Sequence, residues 1–192
     1  MSTLRVNNLA NSGGTGNINV AAGNSLIIPG SIIQTVYVRT DVRTTYASNN
    51  SGNGVTITDL NLTITPRLST SRLIMQWMIN GELHQDNTLL IHRNGSLITD
   101  TGATGYNSVI GNTRPSGYAT GFYDQNEDST PSNWFIQYSI IAGSTSSVTY
   151  APAVRGSGAS NYTFAINRTL NGASQDNYES MVSTGVCWEV AV

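Results

Sequence analysis

The sequence contains no lysine: its nine basic residues are all arginine. Charged residues fill only 10% of the 192 positions, far below the roughly 25% of an average soluble chain. The formal net charge is −2 and the arginines are scattered. That lacks the basic footprint nucleic-acid binding needs, so no nucleic-acid partner is expected. A single cysteine, Cys187, excludes an intrachain disulfide framework and a cysteine-built zinc site. No apolar run approaches the roughly 20 residues of a membrane-spanning helix, so membrane insertion is not expected. Met1-Ser2-Thr3-Leu4-Arg5-Val6 has no apolar signal core, and synthesis in the cytoplasm without a signal peptide is the expectation.

Small and turn-forming residues take the space that charge leaves. The chain has 22 Ser, 23 Thr, 21 Asn and 19 Gly, together 85 of 192 positions. Disorder would require too little apolar material to offset chain entropy. Here 39% of residues are hydrophobic, and they are ordered along the chain. The dominant period is two. Val55-Thr56-Ile57-Thr58 places apolar residues on odd positions, and Leu60-Asn61-Leu62-Thr63-Ile64-Thr65 places them on even ones. Each is the pattern of a strand with one buried face, and the parity switch at Asp59 predicts a bulge or break there. Further strands are expected over 32–39, 72–79, 105–111, 117–123, 133–141, 147–151, 161–168 and 181–192, separated by Gly/Ser/Asn clusters. Asn94-Gly95 between the apolar arms Leu89-Leu90-Ile91 and Leu97-Ile98 predicts a two-residue type I′ hairpin. No window has helical periodicity. Short strands with frequent turns predict an all-β antiparallel sandwich or jelly roll, with Trp77, Trp188, Phe122, Tyr123 and Phe164 as its aromatic filling.

The first thirty residues differ. Leu4, Val6 and Leu9, then Ile18 and Val20, form short alternating pieces on either side of Asn11-Ser12-Gly13-Gly14-Thr15-Gly16. Fragments this short cannot close a core alone, so their apolar positions need another chain or a docking surface. A boundary is expected near Pro29-Gly30, dividing an N-terminal anchor or intertwined shaft (1–30) from a head domain (31–192).

Together the segments resemble tail-fibre and virion appendage proteins of tailed bacteriophages, most of all marine and cyanobacterial phages. The resemblance lies in the leader Leu4-Arg5-Val6-Asn7-Asn8-Leu9 and in Pro29-Gly30-Ser31-Ile32-Ile33-Gln34. It continues through Leu60-Asn61-Leu62-Thr63-Ile64-Thr65-Pro66, Ser71-Arg72-Leu73-Ile74, Ala165-Ile166-Asn167-Arg168 and the closing Trp188-Glu189-Val190-Ala191. Arg72 stands where such proteins more often carry lysine. The resemblance implies a jelly-roll head similar to the tumour-necrosis-factor type, a homotrimer on a virion, and attachment to the host surface from the tail. A capsid-decoration or head-fibre role is the alternative, and a free carbohydrate-binding lectin is a second one.

Chemical constellations are sparse. Asp124, Asn126 and Asp128 take the first, third and fifth places of a calcium loop. Ser129 and Phe135 stand where that loop needs Gly and a bidentate Glu, so no calcium site is expected. His84, Asp86 and His92 fall short of a zinc ligand set, and no metal or other cofactor is expected. Glu82, Asp86 and Asp124 are not singled out as a glycan-cleaving pair, Gly-x-Ser-x-Gly is absent, and Cys187 lies in an apolar strand as an inert thiol. No enzyme is expected. Arg114, Tyr118, Tyr123, Asp124 and Asn126 combine rings, amides and a carboxylate in loop-like stretches. Such side chains suit a host-surface glycan through stacking and hydrogen bonding.

Overall fold

The computed structural model describes residues 13–14, 20, 26–50, 52–83, 87–98, 109–110, 114–115, 117–121, 130–171 and 179–192. Two antiparallel sheets pack face to face as a β-sandwich, and no α-helix occurs among the described residues. The strands are β1 (Ile32–Thr40), β2 (Thr44–Ser48), β3 (Val55–Thr56), β4 (Leu62–Ile64), β5 (Arg72–Leu83), β6 (Asn87–Arg93) and β7 (Ser96–Leu97). They continue with β8 (Val109–Ile110), β9 (Arg114–Pro115), β10 (Ala119–Gly121), β11 (Ser132–Ile141), β12 (Val148–Gly156), β13 (Tyr162–Ile166) and β14 (Ser183–Val190).

In the first sheet β5 is central. Its one edge pairs β11 along its length, from Arg72↔Ile141 to Gly81↔Ser132. Its other edge pairs β14 over Arg72–Met78 and β13 over Gly81–Leu83. β1 then pairs β14, and β2 pairs β13. The two lines on this side of β5, β13/β14 and β1/β2, are therefore each one strand interrupted once. In the second sheet β6 lies between β12 and the pair β7 and β10, and β3 and β4 flank β12. β8 and β9 form a separate two-stranded ribbon.

The expected parity break falls where Asp59 sits: a single 3-10 turn, Thr58–Leu60, divides β3 from β4. It lets Ile57, Leu60, Leu62 and Ile64 all reach the core, which an unbroken strand of period two could not do. Asn94 and Gly95 both have positive φ, 51° and 77°, as the tight β6–β7 hairpin requires. The core lies between the sheets. Leu73, Met75, Trp77, Ile79, Trp134, Ile136 and Tyr138 from the first meet Leu62, Ile64, Leu89, Ile91, Tyr150 and Val154 from the second. Trp77 donates its indole N–H to the Leu60 carbonyl at 3.0 Å, and Trp134 meets Phe164 edge-to-face at 5.9 Å.

One expected core residue is placed otherwise. Along β14 the inward positions are Ser183, Gly185, Cys187 and Glu189, and Trp188 points outward. The side chain of Trp77 sets that choice. A Cβ at Gly185 would stand 2.6 Å from Trp77 Cδ1, so only glycine leaves room for the indole beneath β14. Phe122 and Tyr123 lie outside the described residues; of the expected strand over 105–111 only 109–110 are described, as β8, while that over 117–123 is described through 121 and contains β10.

Buried polar groups hold the interruptions together. Asn167, fully buried and left-handed with φ 59°, sits where β13 leaves its line and β14 resumes it. Its amide nitrogen donates to the carbonyls of Thr40 (3.1 Å) and Val42 (3.0 Å), bridging the break between β1 and β2. Its amide oxygen accepts from Ser183 Oγ at 2.6 Å, and its backbone N–H reaches the Asn80 carbonyl at 2.8 Å. Glu189, also fully buried, accepts from the N–H groups of Arg67 and Leu68 and from Ser71 Oγ. With its amide nitrogen facing them, Gln34 donates to Glu189 Oε2 and to the Thr65 carbonyl, 3.1 Å each. Backbone and hydroxyl donors thus stand in for the cation that a buried carboxylate usually finds.

Candidate attachment surfaces

The strand registers sort the connections onto two poles. Ile32, Ile64, Arg72, Ile141, Val148 and Val190 mark one end of their strands, while Ser48, Val55, Leu83, Asn87, Gly121, Ser132 and Gly156 mark the other. The N-terminal segment leaves from the first pole. Gly30 N–H donates to the Ala191 carbonyl at 2.8 Å and Ala191 N–H returns to Ser31 at 2.9 Å, so the arm is tied to the sheet just before β1. Of the expected docking residues, Val20 is exposed, and Leu4, Val6, Leu9 and Ile18 lie outside the described residues. Val20, Leu26, Ile27, Ile28, Ile32 and Ile33 surround a shallow hollow of about 300 Å³ that also touches Arg67.

The connection 122–129 joins strands that end at the opposite pole, Gly121 beside Asn87 and Ser132 beside Gly81. Glu82 positions it. This carboxylate is fully buried and accepts from the N–H of Thr130 at 2.8 Å and from the N–H of Leu170. One side chain on the central strand thereby holds the ends of two long connections. Both of its oxygens accept from backbone donors. Sequence reasoning named Glu82 only among acids able to converge; the partners that fix its role are 48 and 88 residues away and left no local signal.

Of the expected glycan-contact residues, Tyr123, Asp124 and Asn126 lie outside the described residues. Arg114 is placed by its backbone, paired with Ile110. Tyr118 is half-buried: its ring meets Tyr138 edge-to-face at 5.8 Å and its N–H donates to the Leu89 carbonyl at 2.8 Å. His84, Asp86 and Asp128 are likewise outside the described residues.

Two further groups complete the chemistry. His92 is buried under a hollow of about 280 Å³ lined by Thr56, Thr58, Asn61, Asn94, Thr149 and others. Its Nδ1 lies 2.7 Å from Thr56 Oγ1 and its Nε2 2.9 Å from the Asn53 carbonyl. Both ring nitrogens are committed to the fold. Among the described residues no three His, Cys, Asp or Glu side chains gather as a metal site would. Cys187 is fully enclosed, and burial, reinforced by the charge of Glu189, pushes its thiol up to about 12. A neutral thiol is a poor nucleophile.

No family model matches this chain, and no curated protein matches it.

Proposed function

We propose that the chain is a non-enzymatic structural protein of a bacteriophage virion. In this reading it is a homotrimeric tail-fibre or receptor-binding appendage, with residues 1–30 docked on other virion proteins and residues 31–192 forming the head. The observation that carries the reading is the division of labour between the poles. The N-terminal arm leaves one end of the sandwich, exposing Leu26, Ile27 and Ile28. The connection bearing Tyr123, Asp124 and Asn126 starts and finishes at the other end. A particle component needs that polarity: one end buried on the particle, the other presented outward.

The head is then a jelly roll. Lines β1/β2, β5, β11 and β13/β14 belong to one sheet, and β3/β4, β6, β7/β10 and β12 to the other. The last line lies between the first and β5, the wiring of two Greek keys folded together. A long-range hydrogen-bonded sandwich with fully enclosed Trp77, Phe164 and Tyr150 is rigid, which suits an outward-facing head. The host ligand in this reading is a surface glycan, recognised by ring stacking and amide and carboxylate hydrogen bonds at the far pole.

The test is location. A gold-labelled antibody against residues 31–192 should mark the tails of purified particles. Label on capsid faces would move the protein to capsid decoration, and unlabelled particles that lack the chain would overturn the virion reading.

A further inference from the structure

We propose that the outer face of the β5 sheet is the seam between copies of this chain. The proposal deepens the homotrimer reading above and rests on it. The two sheets differ in what covers their outer sides. In the second sheet the chain covers its own surface: all six residues from Asn87 to His92 are buried, on both faces of β6, as are Tyr150 to Gly156 of β12. In the first sheet several outward positions stay open, although Glu82 and Ala165 at the far end are covered. Tyr37 is 62% exposed, Phe135 58% and Met78 40%.

The registers place these residues side by side. Tyr37 lies against Val186, which lies against Gln76 and then Gln137. Thr35 lies against Trp188 and Ile74, and Thr184 against Met78 and Phe135. β14 carries the clearest sign. Its bulkier apolar side chains, Val186, Trp188 and Val190, point outward, while its inward set contains Gly185 and Glu189. A strand that turned its apolar side to water would lose the burial that selects its register.

A second copy fits this face better than a partner of other chemistry. Among the described residues the acids of this face are Glu82, buried under Thr130 and Leu170, and Asp41 beside Arg39, and its two arginines already have partners. Arg72 donates to Ser139 Oγ, and Arg39 lies 3.8 Å from Asp41. Around a threefold axis one half of this largely uncharged face meets the other half of its neighbour's, and little unpaired charge is desolvated. Both edges of the sheet have little protection beyond a register irregularity at Ile32/Gln34 and Arg39 on β1. Among the described residues β1 and β11 pair on one side only, and neither contains Lys or Pro, the usual guards of an open edge. Closed symmetry hides such edges. The sheet face alone is smaller than a standard interface. Four strands about 4.8 Å apart and about eight residues long give a plan area on the order of 500 Å². A stable interface takes about 800 Å² from each partner. The exposed segment Leu26–Ile28, next to Ile32 at the rim, brings the apolar area toward that figure. Copies joined on this face would also release their arms side by side.

The experiment compares sedimentation masses of the full chain with those of Phe135→Glu and Thr63→Glu. Thr63 is exposed on β4, in the other sheet. The unaltered chain should sediment at three times its 20.5 kDa, Thr63→Glu likewise, and Phe135→Glu as a single chain with an unchanged circular dichroism spectrum. An unaltered chain that is a monomer overturns the homotrimer reading itself. An oligomer that survives Phe135→Glu, or that falls apart equally with Thr63→Glu, overturns the seam and leaves the trimer standing. Labelling with a maleimide gives a second readout if Phe135→Glu misfolds. With Cys187 enclosed, Gln137→Cys should react at least tenfold more slowly than Thr63→Cys in the assembly. Equal rates would overturn the seam.

Discussion

Replacing Asn167 with alanine removes one small side chain that ties four segments together. The amide nitrogen is the partner of two carbonyls, Thr40 and Val42, and the amide oxygen is the acceptor for Ser183. Thr40 and Ser183 are buried, so their groups find no water in exchange. Leaving these two buried partners unsatisfied costs about 1–2 kcal/mol each, about 2–4 kcal/mol together. Alanine at φ 59° adds about 1 kcal/mol of left-handed backbone strain that asparagine tolerates better. The total is about 3–5 kcal/mol, a large part of the roughly 5–15 kcal/mol of a typical domain. With a urea slope of about 2 kcal/mol/M, the midpoint should fall by about 1.5–2.5 M. Asn167→Gly separates the two contributions: it loses the same hydrogen bonds without the strain, and should be about 1 kcal/mol more stable than Asn167→Ala. The assay is equilibrium urea unfolding followed by tryptophan fluorescence, at one fixed chain concentration because association shifts the midpoint. An alanine variant within about 0.5 kcal/mol of the unaltered protein would refute the reasoning, as would glycine no better than alanine.

Glu189→Gln should cost about 1–3 kcal/mol in the same assay: the amide oxygen can keep the Leu68 and Ser71 donors, and the amide nitrogen then faces the Arg67 N–H and the Gln34 amide. A change below about 1 kcal/mol would mean that the 66–71 turn is not held by this carboxylate. Gly81→Ala should abolish soluble expression, because the added Cβ would stand 1.9 Å from the Ala165 carbonyl oxygen; a folded variant would show that β13 and β5 can part. Cys187 gives an alkaline signature. Its thiol titrates near 9 in the unfolded chain and about 12 in the fold, so the folded state holds the proton more tightly. The associated stability is complete below pH 9 and is lost as pH rises toward 12, at up to about 1.4 kcal/mol per pH unit. Between pH 9 and 11 the stability of the unaltered protein should therefore fall more steeply than that of Cys187→Ala; parallel profiles would contradict the shift.

The sandwich was legible wherever one strand carries its own pattern. Thr/Ile/Leu alternation marks 55–65, Asn94-Gly95 marks the hairpin, and the dense run at 72–79 marks the central strand β5. Alternation says that two faces differ; it does not say which one is the core. At 183–190 Trp188 was expected in the core and faces outward, because the inward choice is made by Trp77 through Gly185, more than 100 residues apart in the chain. The same distance hides Asn167, Glu82 and Glu189. Each is an ordinary polar residue in sequence and becomes a fixed point only when distant backbone donors and acceptors surround it. Among the expected contact residues, Tyr118 shows the limit of residue type as a guide: tyrosine suits a sugar, and this one packs on Tyr138.

The central claim is that one pole docks and the other faces outward, and incorporation into particles tests it most directly. Particles assembled with either the full chain or residues 31–192 alone would be purified and probed by immunoblot against the head. The account predicts the full chain on particles and the truncated head, still folded, only in the unassembled fraction. Equal incorporation of the two, or a full chain missing from particles, would contradict it.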